Sequence, residues 1–500
     1  MTKKLVKSYI YKALHIVVLM GYSILLVPIL LGFWDLQVYG TWIALYAIYN
    51  LIQVLELGHS TYVGNSINHI VHKDPHQAKV ILGSALRANF LVGISQILIV
   101  GAIYFTGLLA FLLDKDIDIK EVAIVLSILL FYRMSLGSIR GIIVKVLNPF
   151  GMIYKAFQFK LTEKILEFFI LVVAAFLDLS LIELAFLWLF VKWGYSSIIL
   201  WQLKKLMPDF FPWWKYGSFK IGYKNLKTGT HYIASNFLDR LGNDGIVLVV
   251  SVIVGTAYLP LFSATRTLVN FGLKLSDFLL KPMIPEMINL FAKDRLQTIL
   301  DIFKSYWFIS GIILLGGFAS SLLFVEPVFT FWTKGKLEFD LVLYGALVLV
   351  FVIQNYGKVM LVFFTGINKT KVVLFASVLR ISLFFIISFT LSSWGMNGVL
   401  IALLVAELVI VSIWFPPKTI TTFALRGKER LMIYLNLISV FVLAILFYLH
   451  WLDQPVIIQA IPALVLGVLL WLQYVQISEQ MRKRVNKQLS RFLPIKRSKS

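Results

Sequence analysis

The chain has 500 residues, 59% hydrophobic and only 14% charged, with a mean hydropathy of +0.85. A soluble chain carries roughly 25% charged residues and at this length divides into domains with polar surfaces, so a soluble protein is excluded and the apolar excess faces lipid. The net charge of +22 would point to nucleic acid in a soluble chain. Here the bases gather in alternate connections, as membrane topology demands, so no nucleic acid is expected and anionic membrane lipid is the partner of the basic face.

A membrane-crossing helix needs about 20 mostly apolar residues. In chain order fourteen stretches qualify: 9–32, 37–66, 79–108, 121–147, 152–177, 181–203, 228–253, 256–280, 303–332, 340–365, 371–392, 395–415, 431–450 and 455–475. The first follows a basic N-terminus but lacks a small-residue cleavage site, so it reads as a span and not as a cleaved signal. The fold class is therefore an all-α polytopic membrane protein of about fourteen transmembrane helices. The connections carrying Lys3, Lys4 and Lys7, Lys73 and Lys79, Lys204 to Lys227, Lys293 and Arg295, Lys369 and Lys371, and Lys418 to Arg430 alternate with connections nearly free of bases, such as Trp34–Leu36 and Leu179–Ser180. Both ends are then cytoplasmic.

The longest internal connection, 204–227, mixes lysines with Phe210, Phe211, Trp213 and Trp214. That composition suits a segment lying in the headgroup region. A shift of the chain by 220 residues brings Ala44 onto Ala264, Asn50 onto Asn270, Lys73-Asp74 onto Lys293-Asp294, Asn148 onto Asn368 and Lys160 onto Arg380. Internal repeats are common in secondary transporters, with the substrate site between them. The expected organisation is a six-helix N-terminal lobe (1–203), an amphipathic cytoplasmic linker (204–227), a pseudo-symmetric six-helix lobe (228–415), two additional spans (416–475) and a basic cytoplasmic tail (476–500).

Charges deep in a span are costly and face a partner or a watery cavity. The second span carries Gln53, Glu56, His59, Asn65 and Asn68, the third Arg87 and Asn89, and the fourth Arg133 and Arg140. The fifth has Lys160, Glu163, Lys164 and Glu167. The seventh has Asn236, Asp239, Arg240, Asn243 and Asp244, the eighth Arg266, Asn270, Lys274 and Asp277, the tenth Gln354, Asn355 and Lys358, and the eleventh Arg380. Arg133 lies about twelve residues into its span, roughly 18 Å, near mid-bilayer. Two readings stand side by side: these charges pair and hold helices together, or they line a shared cavity. Arg87, Arg133, Arg140 and Arg380 have no obvious acid in their own spans, which favours the cavity. The expected anion-binding set is Arg87, Arg133, Arg140, Lys160, Arg240, Arg266 and Arg380, since guanidinium groups fork onto phosphate and ammonium groups act as point charges. Glu56, Asp239 and Asp244 are the candidates for coupling to a sodium ion or a proton.

No phosphate-binding Gly-rich loop and no metal-ligand spacing is present, the absence of cysteine excludes thiol chemistry, and no external loop is large enough for an active site. Neither a cofactor nor an enzymatic reaction is expected.

Several phrases resemble one family. They are Glu56-Leu57-Gly58-His59-Ser60 closing the second span, Asn236-Phe237-Leu238-Asp239 opening the seventh, Pro282 and Pro285 before Lys293-Asp294, Val325-Glu326-Pro327-Val328 with Phe331-Trp332, Gly366-Ile367-Asn368-Lys369, and Trp394-Gly395-Met396-Asn397-Gly398. Together they are similar to the polysaccharide-transporter, O-antigen flippase-like branch of the multidrug/oligosaccharidyl-lipid/polysaccharide (MOP) exporter superfamily. The resemblance implies a V-shaped two-lobed fold with a central cationic cavity in the bacterial cytoplasmic membrane. It also implies flipping of an undecaprenyl-pyrophosphate-linked oligosaccharide by alternating access, beside other glycan-assembly membrane proteins. Two other functions remain open: an ion-coupled exporter of drugs or small solutes from the same superfamily, and a non-transporting organiser of a glycan-assembly complex.

Overall fold

A computed structural model describes residues 3–113, 117–281, 283–479 and 482. Lys115, Pro282 and most of the basic tail, including Lys483 to Lys499, lie outside the described residues. Every regular element among those described is helical. Among the described residues nine helices are long and apolar enough to cross a membrane, or ten if one bent pair is a single span. The protein is thus an all-α polytopic membrane protein.

The chain packs into two compact units, Met1–Leu261 and Phe262–Ser500. The first contains α1 (Lys3–Phe33), α2 (Leu36–Ile52), α3 (Val54–Ile70), α4 (Pro75–Phe105), α5 (Ile119–Leu147), α6 (Ile153–Phe176), α7 (Leu181–Leu206), α8 (Phe219–Thr228) and α9 (230–254). Its helix starts are written in the sequence. Asp35 accepts from the Val38 amide at 2.7 Å, Asp74 from Gln77 at 2.8 Å, and Asp118 from Lys120 at 2.9 Å. Ser180 and Glu183 close a reciprocal box at the start of α7, so donors that a helix start leaves orphaned are satisfied. Helices α6 and α9 are not among those spans, and the reason is charge rather than a lack of apolar residues. They carry the charges Lys160 to Glu167 and Asp239 to Asp244 that the sequence reading singled out.

Lipid tails are as apolar as leucine, so helices in a membrane associate through close fit and small residues rather than through escape from water. Helix α1 lies along α6, α3 packs on α4 and α9, and α5 packs on α7. Val63, Ile67, Leu82, Ile142 and Leu203 from four helices meet in one buried cluster. Gly58 lets α3 approach α9 so closely that a Cβ there would lie 2.6 Å from the Ile233 nitrogen.

The second predicted span is not continuous. Helices α2 and α3 bend by 42° at Gln53, where the Glu56 amide bonds to the Gln53 carbonyl instead of to Ile52. The freed Ile52 carbonyl accepts from the Gln96 side chain of α4 at 3.2 Å. A side chain inserted into the ladder is a standard cause of a kink. Widened π turns at Arg133–Gly137 in α5 and Leu241–Gly245 in α9 add two further irregularities. Such turns cluster at functional sites.

The second unit contains α10 (Leu259–Leu280) from Phe262 onward, α11 (Met283–Ala292), α12 (Leu296–Ser321), α13 (Val325–Trp332), α14 (Leu341–Gly366), α15 (Thr370–Thr390), α16 (Met396–Phe423), α17 (Gly427–Trp451) and α18 (Val456–Val475). Helix α14 is its centre and is packed by α11, α12, α15, α16 and α17. The predicted span 303–332 divides into α12 and α13. Pro327 sits in the first turn of α13, where its missing N–H is harmless, and α12 begins earlier, at Leu296.

Candidate functional site: a cationic cavity in the N-terminal unit

The bend at Gln53 and the π turn at Arg133 face one cavity of about 220 Å³, walled by α1, α2, α5, α6 and α7. Four cations line it, Arg133, Lys160, Lys164 and Lys192, against two carboxylates, Glu163 and Glu167. Tyr46, Tyr49 and Trp188 supply aromatic walls.

The charges form a chain. Arg133 forks onto Glu56 of α3, with its Nε 2.9 Å from Oε2 and a terminal nitrogen on Oε1. Arg140 donates to Glu163 of α6 at 2.8 Å. Lys192 of α7 donates to both Glu163 and Glu167, at 2.5 and 2.6 Å, and Lys164 donates to Glu167. The ammonium of Lys192 lies 4.9 Å from the Trp188 ring centroid and that of Lys164 lies 4.3 Å from Tyr22. Each carboxylate is therefore already engaged, and the lining keeps an excess of positive charge. Among the described residues no carboxylate pairs with Lys160, which is exposed at the cavity.

The structure gathers some of the sequence-predicted residues and disperses others. Arg133 and Lys160 line the cavity, while Arg140 and Glu56 stand behind its wall as partners of Glu163 and Arg133. Arg240 pairs within its own helix with Asp244 at 3.1 Å, and Asp244 also accepts from Asn50 at 3.2 Å. The backbone carbonyl of Asp239 accepts from Asn243 at 2.8 Å. Arg87 lies elsewhere on the unit, with its guanidinium 5.9 Å from the Phe219 ring of α8. In the second unit Arg266 stacks 6.0 Å from Phe262. Arg380 of α15 reaches Glu407 of α16 at 3.4 Å, and Gln354 of α14 donates to the same carboxylate at 2.7 Å. The acid that pairs with Arg133, Arg140 or Arg380 is thus supplied in each case by a neighbouring helix.

Two charged residues of these ion pairs were not singled out in the sequence at all. Lys192 is the one charge between Leu184 and Leu203, and Glu407 the one charge between Met396 and Pro417. Reading stripes of several polar residues passes over solitary ones. A single charge in a long apolar run, buried as both of these are, is the stronger signal, because it must be paired in the fold.

No family model matches the chain, and no curated protein matches it. Solved structures do. An inward-facing multidrug resistance MATE transporter of the MOP superfamily superposes with a TM-score of 0.65 at 14% identity, over 83% of this chain and 95% of the other. The lipid II flippase MurJ, in an inward closed conformation, superposes with a TM-score of 0.61 at 14% identity, over 94% and 97%. The chain has the MOP-superfamily transporter fold. The crystal structure of a MATE mutant agrees, with a TM-score of 0.53 at 17% identity over 87% and 96%. At these identities the likeness to MOP transporters is one of fold. What this chain does with that fold depends on its own cavity, since one fold hosts many functions.

Proposed function

We propose that the protein is a flippase that moves an undecaprenyl-pyrophosphate-linked oligosaccharide across the bacterial cytoplasmic membrane by alternating access, with both termini cytoplasmic. The observation that carries this reading is the cavity lined by four cations and two carboxylates, in which every acid is already bonded and Lys160 is not. Such a lining attracts a dianion and repels the cationic drugs that a multidrug exporter handles. Arg133 and Lys160 offer phosphate contacts, and Tyr46, Tyr49 and Trp188 offer faces for sugar rings. An inside-negative potential favours outward movement of the anion by about 2.3 kcal/mol per charge per 100 mV. Glu56, Asp239 and Asp244 remain the candidates for a coupling ion. The lipid II flippase structure also spans more of this chain, 94%, than the MATE structures at 83 to 87%.

The test is deletion of the gene in its host. Loss of surface glycan with lipid-linked oligosaccharide accumulating on the cytoplasmic side, rescued by wild type and not by a normally abundant Lys160→Glu variant, is the expected result. Normal surface glycan combined with altered drug resistance would instead favour the ion-coupled exporter.

A further inference from the structure

The connection between α7 and α9 has a composition that its packing explains. Residues 204–228 hold six lysines, all exposed, and a single acid, Asp209. Large aromatic rings are exposed alongside them: Trp214 at 54%, Phe219 at 55% and Tyr223 at 64%. A soluble connection would turn its rings inward and its lysines outward. Here the inward face is already taken. A Cβ on Gly222 would lie 2.4 Å from the Ser84 carbonyl oxygen, and one on Gly217 would lie 2.4 Å from that of Gly83. The Ser218 amide donates to the Ser84 hydroxyl at 2.9 Å. Glycines thus press α8 and the residues before it flat onto α4, and rings and ammonium groups share the opposite face. Rings at the acyl boundary with ammonium groups reaching the phosphates is the arrangement of a segment resting in a membrane surface.

A second observation makes the surface a site. Arg87 of α4 lies at the seam, its guanidinium 5.9 Å from the Phe219 ring and its Nε 3.0 Å from where a Cβ on Gly217 would sit. It is half-buried, and among the described residues no carboxylate pairs with it. The guanidinium stands at the start of a short helix that carries three exposed lysines, Lys220, Lys224 and Lys227, and phosphate is the anion its planar fork fits best.

We propose that Arg87 and the outer face of α8 bind the headgroup phosphate of an anionic phospholipid, on the side that the lysine bias assigns to the cytoplasm. The inference stands apart from the transport reading and holds whatever the cavity carries. A lysine near an anionic surface contributes about 1 kcal/mol, or roughly fivefold in affinity.

The experiment uses the full-length protein in nanodiscs of mixed phosphatidylglycerol and phosphatidylcholine, with the motionally restricted fraction of each spin-labelled lipid measured. Phosphatidylglycerol is expected to be preferred at low salt, and the preference to fall in about 1 M salt, where the screening length is about 3 Å. Lys220→Gln/Lys224→Gln/Lys227→Gln is expected to cut the preference by about tenfold or more, and Arg87→Gln to cut it several-fold. The three lysines are exposed and outside the glycine seam, so an unchanged Tm certifies the fold of the triple variant. Equal retention of the two lipids by the wild type overturns the proposal. So does a preference that survives the triple substitution, which would move it to the other basic connections. Protection of α8 from amide exchange in native membranes but not in phosphatidylglycerol nanodiscs also overturns it, by assigning the face to an acidic protein.

Discussion

The two units bury polarity in different ways. In the first, guanidinium, ammonium and carboxylate groups from α3, α5, α6 and α7 form a chain of ion pairs along a cavity. In the second, the most buried polar cluster is neutral. The Ser276 hydroxyl donates to the Asn355 carbonyl, Tyr306 donates to the same oxygen at 2.6 Å, and the Asn355 amide donates to Ser310 at 2.9 Å. That cluster has one satisfied arrangement and no net charge, so it fixes α10, α12 and α14 and does little else. The ionic chain has more cations than acids along the cavity, and Lys192 bridges two carboxylates. A bridged set can trade one anion for another with little movement, and a neutral lock cannot. On the proposed reading, anion handling falls to the first unit and rigidity to the second.

The largest test removes the bridge. Lys192 is 2% exposed, and Lys192→Met leaves Glu163 and Glu167 facing each other without their shared counter-charge. Breaking a buried ion pair from one side costs about 3–5 kcal/mol, so the Tm read from intrinsic tryptophan fluorescence falls sharply. Adding Glu163→Gln and Glu167→Gln to Lys192→Met deepens the loss, because Arg140 and Lys164, which each still hold one acid in the single variant, are then left unpaired. An unchanged Tm in the single variant would show that the chain of pairs is not holding α6 to α7.

The neutral lock gives the next effect. Asn355→Leu removes the shared acceptor; the Ser276 and Tyr306 hydroxyls keep their mutual bond at 2.7 Å, so one hydroxyl proton is left without an acceptor, at about 1–3 kcal/mol. Its Tm falls while anion binding by the remaining folded protein is unchanged. A loss of anion binding there would end the division of labour between the units. Arg380→Gln is milder. Its contact to Glu407 is long, at 3.4 Å, Arg380 is 30% exposed, and Gln354 still donates to Glu407. The expected cost is about 1 kcal/mol or less.

These contrasts were partly legible in the sequence. Apolar runs located the helices, and several boundaries agree within two residues: 371–392 against Thr370–Thr390, and 455–475 against Val456–Val475. Such runs depend on local composition, which a single chain displays. The bend at Gln53 was not legible, because its cause is Gln96 on another helix filling the gap. The stripe Lys160, Glu163, Lys164 and Glu167 was visible as a charged face. Its partners Arg140 and Lys192 lie 23 and 25 residues from the acids they bond, and only the packing of α5 and α7 on α6 selects them. Periodicity reports which face of a helix is polar, and it does not report what that face meets.

The smallest effect on stability carries the sharpest functional consequence. Lys160 has no ion pair among the described residues and is exposed at the cavity, so Lys160→Gln strands no carboxylate and changes stability by about 0.5 kcal/mol or less. Binding of a short polyprenyl pyrophosphate to the purified protein is expected to weaken several-fold, with a shallower dependence on salt, because one screened charge has gone. Lys192→Met loses stability first, whereas Lys160→Gln loses affinity alone. If Lys160→Gln binds like the wild type, the cavity's excess charge is not what the ligand meets, and the ionic chain becomes, like the neutral one, a lock between helices.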